Sequence, residues 1–169
     1  RVWSICINNL DDRAISASAD GSCIIWDIKS FIRVACMFET TMFKQLVFHP
    51  DESQILTTGT DRKITYWDAV DGIEIRMIDG SLEGEINTLA MMKSGEYFVS
   101  AGEDKELKVW EYDTAIPKYR GLGHSTTINR IAIAPNQEFV VSVGADGSIF
   151  IFETPLETRL AKNDQNMPK

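Results

Sequence analysis

Four aspartates recur at nearly equal intervals, Asp20, Asp61, Asp104 and Asp146, separated by 41, 43 and 42 residues. Each follows a hydroxyl side chain by four positions (Ser16, Thr57, Ser100, Ser142) and precedes an aromatic by six (Trp26, Trp67, Trp110, Phe152). Carboxylates act as an acid–base pair only when they share one site, and hold calcium only when several oxygens converge on one point. Separate modules splay these four apart, so they read as structural acids. The two histidines, His49 and His124, have no Ser and Asp partners at a spacing that makes a triad. Gly121-Leu122-Gly123-His124 lacks the Lys and the following helix of a phosphate loop. Asp79-Gly80-Ser81-Leu82-Glu83-Gly84 lacks calcium-loop spacing. Cys6, Cys23 and Cys36 offer no close Cys or His pairs for zinc. Cys6 and Cys23 sit in apolar runs and read as buried thiols of a reducing compartment. No catalytic, cofactor-binding or metal residue is therefore expected, and the chain reads as a non-enzyme.

The elements that carry these residues are repeats. Ser-Ala-Ser-Ala-Asp-Gly-Ser-Cys-Ile-Ile-Trp-Asp at 16–27 returns as Thr-Thr-Gly-Thr-Asp-Arg-Lys-Ile-Thr-Tyr-Trp-Asp at 57–68. It returns again as Ser-Ala-Gly-Glu-Asp-Lys-Glu-Leu-Lys-Val-Trp-Glu at 100–111 and Ser-Val-Gly-Ala-Asp-Gly-Ser-Ile-Phe-Ile-Phe-Glu at 142–153. Around each core the pattern predicts four short strands. In the second unit these are 44–48, closed by His49-Pro50, then 54–59, 64–67 and 73–78, with Asp, Gly and Ser turns between. Equivalent first strands are predicted at 2–7, 86–91 and 128–133. No window has a helical period, so the chain reads as all-β. A lone four-stranded sheet cannot bury both faces, and stacking blades around an axis covers each face with a neighbour. The expected architecture is a β-propeller of four blades of four antiparallel strands, at 1–38, 39–79, 80–121 and 122–155, followed by a tail at 156–169.

The net charge of -8 argues against nucleic acid, which selects clustered Lys and Arg. No apolar run approaches the roughly 20 residues of a membrane helix, and no basic and apolar leader stands at Arg1, so neither a membrane partner nor a signal peptide is expected within these residues.

These residues resemble the WD40 repeat family over essentially the whole chain. The resemblance implies a hydrogen-bonded set in each blade: a His before the first strand, a Ser or Thr in the second, an Asp in the next turn and a Trp in the third. Blade one would supply Ser16, Asp20 and Trp26. Blade two would supply Thr57, Asp61 and Trp67, and blade three Ser100, Asp104 and Trp110. Blade four would supply His124, Ser142 and Asp146, with Phe152 in place of Trp. The carboxylate only accepts, whereas the imidazole, hydroxyl and indole donate; buried without them it would be costly. No set is complete, and water or backbone N–H groups are expected to fill the missing positions. The family pattern also places Arg62, Lys63, Lys105 and Glu106 on one loop face, with Lys44, Glu85 and Thr127 nearer the axis, as a partner face.

The segments 51–72 and 123–147 further resemble a family of WD-repeat proteins of motile cilia. That resemblance implies a cytoplasmic, cytoskeletal protein of the ciliary or flagellar axoneme, a microtubule inner protein with tubulin and other axonemal proteins as partners. A generic cytoplasmic adaptor recognising a peptide or degradation signal is the alternative. An aromatic and basic pocket at the axis would favour the adaptor. WD40 rings usually close with seven or eight blades, so the chain is expected to be part of a longer protein. Each open end would then expose roughly 350 Å² of sheet, and an isolated chain is expected to dimerise through these faces, as in a pseudo-eightfold ring.

Overall fold

A computed structural model describes residues 1–160. Fifteen strands precede one short helix among these residues. The first sheet comprises β1 (Val2–Ile7), β2 (Arg13–Ser18), β3 (Ser22–Asp27) and β4 (Ile32–Phe38). The second comprises β5 (Phe43–Phe48), β6 (Gln54–Gly59), β7 (Lys63–Asp68) and β8 (Glu74–Asp79). The third comprises β9 (Ile86–Met91), β10 (Tyr97–Gly102), β11 (Leu107–Glu111) and β12 (Pro117–Gly121). The fourth comprises β13 (Ile128–Ile133), β14 (Phe139–Gly144) and β15 (Ile149–Glu153). Each sheet is an antiparallel meander in chain order. The all-β propeller architecture expected of the repeat is thus present.

The fourth sheet departs from the expected count, with three strands among the described residues. Proline at 155 has no N–H to give a ladder, and Leu156–Leu160 turns into the helix α1. Thr158 caps this turn through its amide and hydroxyl, both donated to Pro155 O at 3.0 and 2.7 Å. The expected tail therefore begins as a helix. Its remainder, 161–169, lies outside the described residues.

The sheets stack as an arc, with the innermost strands β1, β5, β9 and β13 side by side in that order. Every seam joins two unlike faces. The aliphatic side of blade one (Ile15, Ala17, Cys23, Ile25, Met37) meets Phe43, Leu46, Ile55 and Trp67 of blade two. Leu56, Ile64 and Tyr66 of blade two meet Ile86, Leu89, Phe98 and Trp110 of blade three. Val99, Ala101, Leu107 and Val109 then meet Ile128, Ile131 and Val140, with Phe152 packed alongside. A blade thus turns its Trp side to the unit before it and its aliphatic side to the unit after it. Fully burying each such side chain contributes roughly 1.5–3 kcal/mol. At the ends the faces are uncovered: Trp26 is 37% exposed where Trp67 and Trp110 are 3% and 4%, and Ile149 and Ile151 are 67% and 68% exposed.

Polar links tie the turns beneath the seams. Glu52, at φ 64°, accepts from Asn9 N at 2.6 Å and Asn8 Nδ2 at 2.9 Å. Gln137, at φ 63°, accepts from Lys93 N at 2.9 Å. Between blades two and three the donor position is Pro50, which has no N–H, and the acceptor position is Gly95. There His49 bridges instead, its Nε2 lying 3.1 Å from Gly95 O. A Cβ at Gly95 would come within 2.6 Å of that nitrogen. The His49 ring also stacks at 4.4 Å against Tyr112, whose hydroxyl donates to Gln54 Oε1 at 2.6 Å. His49 is a seam residue rather than the end of a strand alone.

Candidate interaction faces

The hydroxyl–indole pairs come from strand pairing. In β2–β3, Ser16 faces Ile24 across the ladder and Trp26 lies two residues further on the same side, a diagonal that a large ring spans. The indole donates to Ser16 Oγ at 2.9 Å. The same diagonal gives Trp67 to Thr57 Oγ1 at 2.8 Å and Trp110 to Ser100 Oγ at 2.8 Å. In blade four the indole is absent, and His124 Nε2 lies 2.6 Å from Ser142 Oγ. His124 Nδ1 contacts Ser148 Oγ at 3.0 Å and lies 3.9 Å from Asp146 Oδ1.

The aspartates differ from expectation. They are not buried: Asp20 and Asp146 are exposed and Asp61 and Asp104 half-buried. Each carboxylate caps its own turn, accepting from the amide two residues on. The amides are Ser22 N at 2.9 Å, Lys63 N at 3.1 Å, Glu106 N at 3.3 Å and Ser148 N at 2.9 Å. In each blade the acid serves as an Asx cap of its own turn. Hydrogen bonds from the hydroxyls and amides of Ser148 and Ser125 hold the Asp146 carboxyl well below the ordinary carboxylate range.

In blades two and three, hydroxyl side chains stand where a histidine was expected. In blade two, Thr41 Oγ1 accepts from Asp61 N at 3.2 Å and meets Thr60 Oγ1 at 3.3 Å. In blade three, Ser81 Oγ donates to Asp104 Oδ2 at 3.1 Å. The main donor there is Lys108, which stands opposite Ser100 in the ladder and is buried. Its Nζ lies 2.5 Å from Asp104 Oδ2 and 3.1 Å from Gly80 O. Sequence reasoning missed Lys108; a lone Lys between Leu107 and Val109 in an apolar strand was the available signal. Of the thiols, Cys23 is buried, and burial raises its pKa. Cys6 is half-buried and Cys36 exposed, because β4 is an edge strand and its outer side stays open.

The residues named for the partner face divide into two groups. Arg62 and Lys105 are exposed at left-handed turn positions, φ 66° and 64°. Arg62 donates to Leu82 O at 3.0 Å. Lys63 is half-buried, and Glu106 pairs with Arg120 at 3.4 Å. Nearer the axis, Lys44 and Glu85 form an ion pair at 3.0 Å, and Thr127 O accepts from Ala145 N at 2.9 Å. Among the described residues no group of three or more His, Cys, Asp or Glu side chains is placed to hold a metal ion, and no helix is long and apolar enough to cross a membrane.

One arrangement was invisible in the sequence. Each innermost strand carries a β-bulge at the same height, where one residue is skipped in the ladder: Trp3, Lys44, Asn87 and Asn129. A bulge re-aims its side chain. Here all four, with Arg130, line one cleft of about 490 Å³ at the axis. The Trp3 ring lies 3.9 Å from Arg1 Cζ and 5.0 Å from Lys44 Nζ. Arg130 Nη1 donates to Gln45 Oε1 at 2.5 Å, tying blade four to blade two.

Matches to the WD40 family (WD domain, G-beta repeat) fall at residues 1–27, 40–68, 72–111 and 117–153. The chain is 49% identical over 149 residues to cilia- and flagella-associated protein 52 of Chlamydomonas reinhardtii, covering 88% of this chain and 24% of that protein. The Homo sapiens protein of the same name is 42% identical over 154 residues, covering 91% of this chain and 25% of its own length. Pre-mRNA-processing factor 17 of Homo sapiens is 28% identical over 165 residues, covering 95% of this chain and 28% of its own. The chain spans about a quarter of the length of the curated relatives it matches.

Proposed function

Because the chain belongs to the WD40 repeat family, we propose that it is a non-catalytic interaction scaffold of the ciliary or flagellar axoneme. Its finer role in this reading is that of a microtubule inner protein, with tubulin and other axonemal proteins as partners. The observation that carries the proposal is the 49% identity, over 88% of the chain, to a protein named for cilia and flagella. The geometry supports the scaffold part. The hydroxyls, indoles and carboxylates that could have done chemistry are spent on turn caps and on pairs between β2 and β3 or their equivalents. What remains for function is a rigid arc with loops and an axial cleft.

The test is co-sedimentation of the intact polypeptide with isolated ciliary doublets. Retention after a salt wash is expected. Recovery only in the soluble fraction would reject the axonemal reading. The residues Arg62, Lys63, Lys105, Glu106, Lys44, Glu85 and Thr127 are proposed as contacts, and charge reversal at Arg62 with Lys105 should then weaken retention. The uncovered sheets at the two ends support self-association of the isolated chain. Light scattering should find species larger than a monomer, and a stable monomer would refute this part.

The second reading, a cytoplasmic adaptor that recognises a peptide, is favoured by one observation: the axial cleft is both aromatic and basic. Fractionation separates the readings, since an adaptor would distribute with soluble partners.

A further inference from the structure

We propose that the outer rim of the blades, at the end away from the axial cleft, docks an amphipathic helix of a partner protein. That helix is apolar along one stripe and rich in Lys and Arg beside it. The inference rests on the reading of the chain as an interaction scaffold and names the kind of partner that one surface takes.

The turn into each outer strand follows one plan. Segments 27–32, 68–73 and 111–116 open on an acid, Asp27, Asp68 or Glu111, and close on an isoleucine, Ile32, Ile73 or Ile116. The residue before each isoleucine is left-handed, Phe31 at φ 57°, Gly72 at 74° and Ala115 at 56°. Asp27 faces Ile32 across the ladder, and Asp68 N and Glu111 N donate to Ile73 O and Ile116 O at 2.9 and 3.0 Å. The apolar content of these turns points two ways. Ala69 and Tyr112, second in their segments, are buried in the seams, whereas the three isoleucines are 56%, 63% and 52% exposed. One exposed apolar side chain needs no explanation; the same one at the same place in three blades makes a row. In the fourth unit α1 takes this place. The Tyr119 hydroxyl of blade three donates to Glu157 Oε1 at 2.6 Å, and Leu156 beside it is 69% exposed. The row is also held from behind. Arg13 of blade one donates to Ala69 O at 2.7 Å, and Arg76 of blade two donates to Asp113 O at 2.7 Å and to Tyr112 O. Each turn is thus tied to the blade before it, and a preorganised surface loses little freedom when it is covered.

Charge selects what covers the row. The three segments carry Asp27, Asp68, Asp71, Glu111 and Asp113 against Lys29 alone, and Glu111 is paired with Lys118 at 3.2 Å. The inner turns at the same end, 8–12, 49–53, 92–96 and 134–138, add six acids against Lys93. The guanidinium groups of Arg13 and Arg76 are drawn inward onto carbonyls. An apolar row set among acids matches an apolar stripe set among bases. A second copy would place acid against acid, and nucleic acid or an anionic membrane would be repelled in the same way. Direction selects the helix. The row runs from blade to blade, across the strands. A peptide added as a strand would lie along one outer strand and meet one isoleucine. A partner that meets several must satisfy its own backbone groups, as a helix does. Stacked sheets lie about 10 Å apart and fan outward toward the rim. A helix advances about 10 Å in seven residues and about 16 Å in eleven, so one apolar stripe reaches successive blades.

The experiment is fluorescence anisotropy of a labelled Leu/Lys peptide of about 18 residues, five turns of helix with the leucines on one stripe, titrated with the intact polypeptide carrying this chain. Parallel arms use a peptide of the same composition with the leucines scattered around the helix, and a striped Leu/Glu peptide. Binding of the striped Leu/Lys peptide is expected, weakening as salt rises. Ile73→Thr and Ile116→Thr should each weaken it roughly threefold to tenfold, the loss of part of one covered isoleucine. Threonine keeps the β-branched strand preference, and both positions are exposed, so circular dichroism should show retained strands. Asp71→Lys with Asp113→Lys should weaken binding more at low salt than at high salt. Leu82→Thr, at an exposed loop of the opposite end, should leave it unchanged. The proposal is overturned by absence of binding, by equal binding of the scattered peptide, by tighter binding of the Leu/Glu peptide, or by binding indifferent to Ile73→Thr and Ile116→Thr together. Self-association that Ile73→Thr abolishes, with no peptide bound, would overturn it in favour of a second copy. Doublet co-sedimentation is run on the same preparations. Loss of the peptide result with doublet binding intact removes this inference alone, and loss of doublet binding with the peptide result intact removes the axonemal reading alone.

Discussion

Replacing Lys108 by Met removes a buried ammonium while keeping most of its apolar stem. Two hydrogen bonds disappear, to Asp104 Oδ2 at 2.5 Å and to Gly80 O at 3.1 Å. Breaking a buried pair from one side costs about 3–5 kcal/mol when the remaining charge is stranded. Asp104 is not fully stranded, since it keeps Ser81 Oγ at 3.1 Å and Glu106 N at 3.3 Å, and its side chain is 14% exposed. The cost therefore falls to the bottom of that range or below it, about 2–3 kcal/mol, combining one hydrogen bond to a charged group with one unsatisfied carbonyl. At a urea m-value of roughly 2 kcal/mol/M, the midpoint should fall by about 1–1.5 M. Asp104→Asn alone should cost about 1–2 kcal/mol. The double variant should cost less than the two singles summed, with a coupling of about 1 kcal/mol or more. Urea unfolding followed by tryptophan emission reads all three. A Lys108→Met midpoint within about 0.2 M of the parent, or additivity of the two changes, would refute the assignment of Lys108 as the donor that stands in for histidine.

Three further outcomes are expected. Gly95→Ala should destabilise by about 2–4 kcal/mol, because its φ is 78° and its Cβ would meet His49 Nε2 at 2.6 Å. Gly147→Ala, at φ 77° with nothing within 4 Å, should cost only about 1 kcal/mol, and equal losses in thermal or urea unfolding would discredit the His49 seam. Acid should weaken the fold through Asp51. Burial pushes its carboxyl up, but the Ser53 amide and hydroxyl and the His49 ring outweigh burial and hold it at about 2. A depressed carboxylate stabilises above its unfolded pKa of about 4, and that contribution is lost as pH falls toward 2. The urea midpoint should drop across that window, and Asp51→Asn should flatten part of the slope; an unchanged slope would contradict the pairing. Native alkylation followed by mass spectrometry should modify Cys36 first and Cys23 only on unfolding, as burial raises the pKa of Cys23; early modification of Cys23 would show that the seam between the first two blades opens.

Strands were legible because each blade repeats short β-branched and aromatic runs between Asp and Gly turns. The predicted 2–7, 54–59, 86–91 and 128–133 coincide with β1, β6, β9 and β13. The Ser16–Trp26 pair was implied by the resemblance to the repeat family, and the structure gives its geometry: ten residues across a tight hairpin return to the same face. The burial of the aspartates was misjudged because a residue type does not say how deep a turn lies. Lys108 escaped notice because one of its two partners, Gly80 O, is a backbone atom 28 positions away, and the other, Asp104, was assigned to the hydroxyl and indole of its own blade. The axial cleft was beyond reach for a different reason. A bulge changes no composition and no period; it is a one-residue slip in pairing, and it shows only when both strands are laid side by side. The exchange of Pro50 and Gly95 for a histidine bridge is equally silent until blades two and three are known to touch.

Each blade presents an indole leading and branched aliphatics trailing, which gives the stack a polarity like that of a strand of nucleic acid. Trp26 marks one terminus and Ile149 with Ile151 the other. Like cannot mate with like along such a series, so joining by these ends is heterologous, and it either circles back on itself or propagates in a single sense. A charge introduced at Ile151 would therefore cap growth at one terminus and leave the Trp26 terminus fully competent.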